Sequence, residues 1–162
     1  MLGWFLRANP VVRRIDENAV LREPLPVRVR RTPGKGTIPH VIPFSKPLLE
    51  TLRAAKILGV RAGKEHRYTG VWVVVVEDRV FVRSWNDKPT GWYRAFRAER
   101  DGRMQVGDRE IAVTGKSVRS ARLRDAVTRA YGEKYDTKAS QKWVRGFAEP
   151  KRESNTLELV AR

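Results

Sequence analysis

The sequence predicts an α+β domain whose sheet is mainly antiparallel and closed into a small barrel. Three observations carry this: tight hairpin signals over 71–85 and over 103–113, an alternating strand at 156–160, and short helical patterns between them. Strands joined by two-residue corners pair antiparallel, and a barrel hides the edges such a sheet would otherwise expose.

The chain begins with a stretch of different character. Residues 1–36 carry Arg7, Arg13, Arg14, Arg22, Arg28, Arg30, Arg31 and Lys35 against Asp16, Glu17 and Glu23, and prolines at 10, 24, 26 and 33 prevent a long helix. We read 1–36 as a basic, Pro-rich arm and 37–162 as the barrel domain. Within the arm, 27–30 alternates like a half-exposed strand, Thr32-Pro-Gly-Lys-Gly36 is a turn, and 37–42 is a candidate return strand. The Gly-Lys-Gly turn offers backbone N–H groups to a phosphate but lacks the spacing of a P-loop.

Ser45 before Lys46-Pro47 reads as a helix N-cap. Leu48, Leu49, Leu52 and Ala55 then recur at helical spacing, with Gly59 as the expected stop. Next comes the central hairpin. Val71 to Val76 is apolar throughout, so both of its faces are expected to be covered. After a Glu77-Asp78-Arg79 corner, alternation places Phe81, Arg83 and Trp85 on one face and Val80, Val82 and Ser84 on the other. A guanidinium between aromatics on a strand calls for an anion or a ring face against it.

A loop at 86–91 leads into a short helix from Trp92, with Thr90 as candidate cap and Asp101-Gly102 as its end. Trp92 and Phe96 share a face of that helix, where core packing is the default reading. Arg103–Val106 and Arg109–Val113 then form a hairpin around Gly107-Asp108. Ser120 caps a helix carrying Leu123, Val127, Ala130 and Tyr131; a further helix near 140–147 presents Trp143, Val144 and Phe147. The closing strand turns Leu157 and Leu159 away from Glu158.

Composition removes several function classes. With no cysteine, disulfides and thiol catalysis are excluded, and two histidines are too few for a metal cluster. Apolar runs stay short of the roughly 20 residues that span a bilayer, and the start lacks the features of a signal peptide, so a soluble, cytoplasmic protein is expected. Lys and Arg total 34 against 18 acids, a net charge of +16, which concentrates anions around the molecule. Nucleophile elbows and paired carboxylates find no support, so no reaction follows from these residues alone.

Binding features are stronger. Arg67, Tyr68 and Thr69 precede the first long strand; Arg83, Ser84 and Trp85 end the second, and Lys88 follows. A regular hairpin would bring the two sets together as guanidinium, ammonium, hydroxyl and aromatic groups at one sheet end. That combination suits a phosphate attached to a flat ring, with Arg83 expected as a ligand contact.

Val-Trp-Val-Val-Val-Val, Val-Phe-Val-Arg-Ser-Trp, Gly-Trp-Tyr-Arg-Ala, Asp125-Ala-Val-x-x-Ala-Tyr-Gly-x-Lys-Tyr135 and the closing Thr-Leu-x-Leu together resemble an uncharacterised bacterial family. That family is similar to the split-barrel flavin-binding proteins typified by pyridoxamine-phosphate oxidase and the deazaflavin-dependent nitroreductases. The resemblance spans about 42–162. It implies a split β-barrel, a homodimer, and FMN or deazaflavin as cofactor, with possible oxidoreductase activity. The cofactor phosphate would fall on Arg67, Thr69, Arg83, Ser84 and Lys88, and Trp92 would begin a helix closing the site. Ser84 and Lys88 stand four apart, where the oxidases have a continuous Ser-Arg-Lys run. Two other classes stay open: a nucleic-acid-binding module using the basic arm, and a cofactor-less interaction domain of the same fold.

Overall fold

The computed structural model describes residues 42–162. The strand expected at 27–30, the Gly34-Lys35-Gly36 turn and nearly all of 37–42 lie outside the described residues; Ile42 makes a single bridge to Ala161. The elements run α1 (Lys46–Ala54), β1 (Leu58–Ala62), β2 (Thr69–Val71), β3 (Val73–Val76), β4 (Arg79–Arg83), α2 (Trp92–Glu99), β5 (Asp101–Val106), β6 (Arg109–Ser117), α3 (Ala121–Lys134), α4 (Gln141–Phe147), α5 (Pro150–Glu153) and β7 (Thr156–Ala161).

All strand pairs are antiparallel, and the hydrogen-bonded order is β2-β1-β5-β6-β7-β4-β3. The two ends of that order, β2 and β3, are halves of one extended stretch interrupted at Trp72. One half pairs with β1 (Val60↔Thr69) and the other with β4 (Val73↔Val82). The sheet therefore curls into a nearly closed antiparallel barrel, as the hairpin signals anticipated.

Alternation sorts the side chains. Leu58, Val60, Val73, Val80, Val82, Met104, Val113, Leu157 and Leu159 fill the interior, together with Leu48, Leu49 and Leu52 of α1 and Tyr93 and Phe96 of α2. On the outer face of β3 and β4, Val74 and Phe81 pack under Leu123, Val127, Tyr131 and Tyr135 of the α3 region and Phe147 of α4. Both faces of the valine run are covered, as expected.

Several boundaries move for identifiable reasons. The central corner is Glu77-Asp78, both at positive φ (51° and 56°), the geometry of a two-residue hairpin turn. Gly107 opens the second turn at φ 55°. Helix α1 ends at Ala55, and Gly59 lies inside β1, a strand that the helical reading of 48–59 concealed. Ser45 stands at the N-cap of α1 without a side-chain bond, whereas Ser120 accepts from the Leu123 N–H at 3.3 Å. Gly91, not Thr90, caps α2, and the helix ends at Arg100 (φ 62°), leaving Asp101-Gly102 to open β5. At Gly102 an added Cβ would lie 2.3 Å from the Arg61 carbonyl oxygen and 2.6 Å from Phe96 Cζ, so strand and helix meet there on bare backbone.

Among the described residues no helix is long and apolar enough to cross a membrane. Among the same residues no group of three or more His, Asp or Glu is placed to hold a metal ion.

Candidate functional site

Arg83 decides where a site can lie. Its place late in β4 and the alternation of that strand turn it to the outer face with Phe81, beneath α3 and α4, where it is 1% exposed. Nε donates to Thr156 Oγ1 (2.8 Å), Nη1 to Thr128 Oγ1 (2.9 Å) and to the Phe147 carbonyl (2.6 Å), and Nη2 to the Arg124 carbonyl (3.2 Å). Thr128 in turn donates to Glu153 Oε1 at 2.8 Å, linking the guanidinium to a carboxylate one residue away. The expected ring face is that of Tyr131, 5.6 Å from the guanidinium carbon. Phe81 and Trp85 instead face Arg79 and Arg152. Burial pushes the Arg83 pKa down, opposed by Tyr131 and Glu153. Arg83 thus joins β4, β7, α3 and α4 from behind the surface.

The Tyr-Gly-x-Lys-Tyr motif of α3 serves the barrel seam. Breaking the strand at Trp72 leaves backbone groups without ladder partners, and a buried orphan is costly. Tyr131 donates to the Trp72 carbonyl (3.2 Å), and the Val73 N–H donates to Tyr135 Oη (3.0 Å). Lys134 Nζ donates to the Val73 and Leu52 carbonyls, both at 2.8 Å. Trp72 stacks on Tyr135 at 4.1 Å and 6°. Burial, with Lys56 nearby, pushes the Lys134 pKa down to about 8.

The residues of the sequence-derived set separate. Because β2 leaves β4 for β1, no hydrogen bond, ion pair or ring contact joins Arg67, Tyr68 and Thr69 to Arg83, Ser84, Trp85 and Lys88 among the described residues; the regular hairpin that would have joined them ends at Val73↔Val82. Arg67 is exposed in the β1–β2 connection, Thr69 begins β2, and Tyr68 donates to Glu110 Oε2. Ser84 donates to the Asn86 carbonyl at 2.6 Å, and Lys88 is exposed in the following loop. Trp92 packs edge-on to Tyr93 and Phe96, against the interior core.

Trp85 lines an open cleft of about 430 Å³ with Lys142, Trp143, Arg145, Glu149 and Arg152. Helix α4 can rest on the indole because residue 146 is glycine: a Cβ there would fall 2.2 Å from Trp85 Cη2. Arg152 lies 3.8 Å over the Trp85 ring, fixed by bonds to the Trp85 carbonyl (3.3 Å) and the Gly146 carbonyl (3.1 Å) and by Glu149 (2.6 Å). Trp143 meets Trp85 edge-on at 4.8 Å, and the Lys142 ammonium lies 4.8 Å over the Trp143 ring. The wall formed by Trp85 and Arg152 is rigidly held, while Lys142 and Arg145 are exposed cations. Such a surface can stack a planar ring and pair an anion.

Sequence reasoning missed Lys142, Trp143, Arg145 and Arg152 as site residues. Trp143 read as helix packing beside Val144 and Phe147. The available signal was a tryptophan flanked by cations, with a glycine three residues on.

A bacterial family described as "Uncharacterized protein conserved in bacteria" (DUF2255) matches residues 50–159. Among solved structures, the crystal structure of conserved hypothetical protein Rv2991 from Mycobacterium tuberculosis is similar, with a TM-score of 0.50 at 13% identity. The match covers 76% of this chain and 84% of that one, a likeness of fold. No curated protein matches the sequence.

Proposed function

The chain belongs to this DUF2255 family of bacterial proteins, and from that premise we propose that it binds a phosphorylated planar ligand of the flavin or deazaflavin class at the Trp85–Trp143 cleft. The observation that carries the reading is the aromatic floor with three cations and one acid around it, that acid being already paired with Arg152. Its size falls within the roughly 300–1,000 Å³ of small-molecule sites. The ring packs against the wall formed by Trp85 and Trp143, and Lys142 and Arg145 take the phosphate. Redox chemistry, as in an oxidoreductase, belongs to such a cofactor, while this chain positions its ring and phosphate. A homodimer is the assembly to look for by sedimentation.

The test is titration of the full chain with FMN and with a deazaflavin, followed by tryptophan fluorescence and visible absorbance. Micromolar binding is expected, weakened about tenfold or more by Trp143→Ala, since stacking on an aromatic side chain contributes roughly 1–3 kcal/mol. Failure of a folded sample to bind either cofactor refutes the reading. One observation favours a second reading, single-stranded nucleic acid: a chain of net charge +16 carries this stacking surface. Oligonucleotide affinity falling steeply with salt, in a protein that binds neither cofactor, would select it.

A further inference from the structure

We propose that Arg61 and Arg103, on the outer face of the barrel, form a second anion site that takes a single phosphate group. The two are direct cross-strand partners in the β1–β5 ladder, on the face away from the interior residues Val60, Ala62 and Met104. Like charges placed directly opposite are destabilising unless something between them is negative.

The carboxylate supply at this pair is one short. Glu110 takes Arg103 Nη1 on Oε1 at 2.8 Å and the Tyr68 hydroxyl on Oε2, so both of its oxygens are engaged. Arg61 is in no ion pair among the described residues. Its guanidinium carbon lies 4.9 Å from the centroid of the Tyr68 ring. Its Nε is the one buried side-chain nitrogen or oxygen among the described residues that lacks a hydrogen-bond partner. An orphaned buried donor calls for an acceptor, and the two guanidiniums offer forks matched to phosphate oxygens.

On the Arg103 side a cavity of about 490 Å³ is lined by Lys64, Gly102 and Ala112 as well; Arg61 is not part of its wall, so the phosphate would sit at the edge of this cavity, between the two arginines. Asp101, also on its wall, is paired with Arg162 at 2.7 Å. Glu65 and Glu99 line the same cavity, which disfavours an extended polyanion reaching into it.

Tyr68 and Glu110 are positioning residues here: one orients Arg61, the other Arg103. The site shares no residue with the Trp85 cleft and stands or falls independently of it.

The test is calorimetric titration of the full chain with inorganic phosphate and, separately, with phenyl phosphate, ionic strength being held constant with chloride. Saturable binding is expected. Arg61→Gln and Arg103→Gln should each weaken it at least tenfold, and Arg129→Gln, which removes the same charge from the exposed face of α3, should leave it unchanged. Arg103 is exposed, so its variant keeps the measurement available if Arg61→Gln fails to fold. Tighter binding of phenyl phosphate assigns the phosphate to a larger ligand reaching into the cavity; equal affinities assign it to the free ion. Heat that does not saturate, or binding that survives both arginine substitutions, overturns the proposal.

Discussion

Replacing Arg83 with lysine probes the most densely bonded side chain among the described residues. The charge stays, but the planar fork that reaches Thr156, Thr128 and the carbonyls of Phe147 and Arg124 is lost. One ammonium, on a stem ending short of the guanidinium, can satisfy about two of the four acceptors. Hydrogen bonds from a charged donor contribute about 1.5–3 kcal/mol each, so losing two costs about 3–6 kcal/mol. That is a large share of the roughly 5–15 kcal/mol that holds a domain folded. At about 2–4 °C per kcal/mol, the melting temperature should fall by roughly 6–24 °C. Urea unfolding with tryptophan fluorescence measures the difference. Affinity for a flavin-class ligand at the Trp85 cleft should stay within about twofold, because Arg83 is buried behind that surface. A variant that unfolds within about 1 kcal/mol of the parent but loses ligand affinity would refute this reasoning and return Arg83 to the role of ligand contact.

Two further substitutions test the barrel itself. Gly102→Ala forces a methyl group against the Arg61 carbonyl and the Phe96 ring and should cost about 3 kcal/mol or more, read by thermal unfolding; a near-neutral effect would show that strand and helix do not meet as described. Lys134 has a folded pKa of about 8, below the ordinary 10.5, so between these values the unfolded chain binds more protons. Its desolvation penalty is therefore fully present below pH 8 and is relieved as pH rises toward 10.5. Parent stability, measured relative to Lys134→Met, should increase from pH 7.5 to 9.5, and a flat or falling difference would contradict it.

Much of the fold was legible in the chain because local chemistry determines it. The Glu77-Asp78 corner, the Gly107-Asp108 turn, the Ser120 cap and the alternation that sets Phe81 and Arg83 opposite Val80 and Val82 all depend on neighbours within a few residues. The break at Trp72 does not. Val71 to Val76 has uniform β propensity, and only the competition of β1 and β4 for the two halves of one strand interrupts it. That interruption also separated the two halves of the expected phosphate set. Strand β1 was hidden because Gly59 resembles a helix stop as much as a strand residue. The facing of Arg61 and Arg103, sequence positions 42 apart, is a fact of register and could not be read from spacing.

The place of β7 bears on how the protein is made. Of the seven strands it is the last to be synthesised, yet it lies between β6 and β4 and joins a four-strand half-sheet to a two-strand one. Until 156–161 has left the ribosome, the nascent chain can build only the two hairpins and their partners, with the outer edges of β4 and β6 unpaired. Its contacts with β4 span 79 residues of chain, the kind of long-range closure that slows folding. Ring closure therefore waits for β7 to emerge, and until then the valine-rich hairpin is the segment most exposed to pairing with a neighbouring chain.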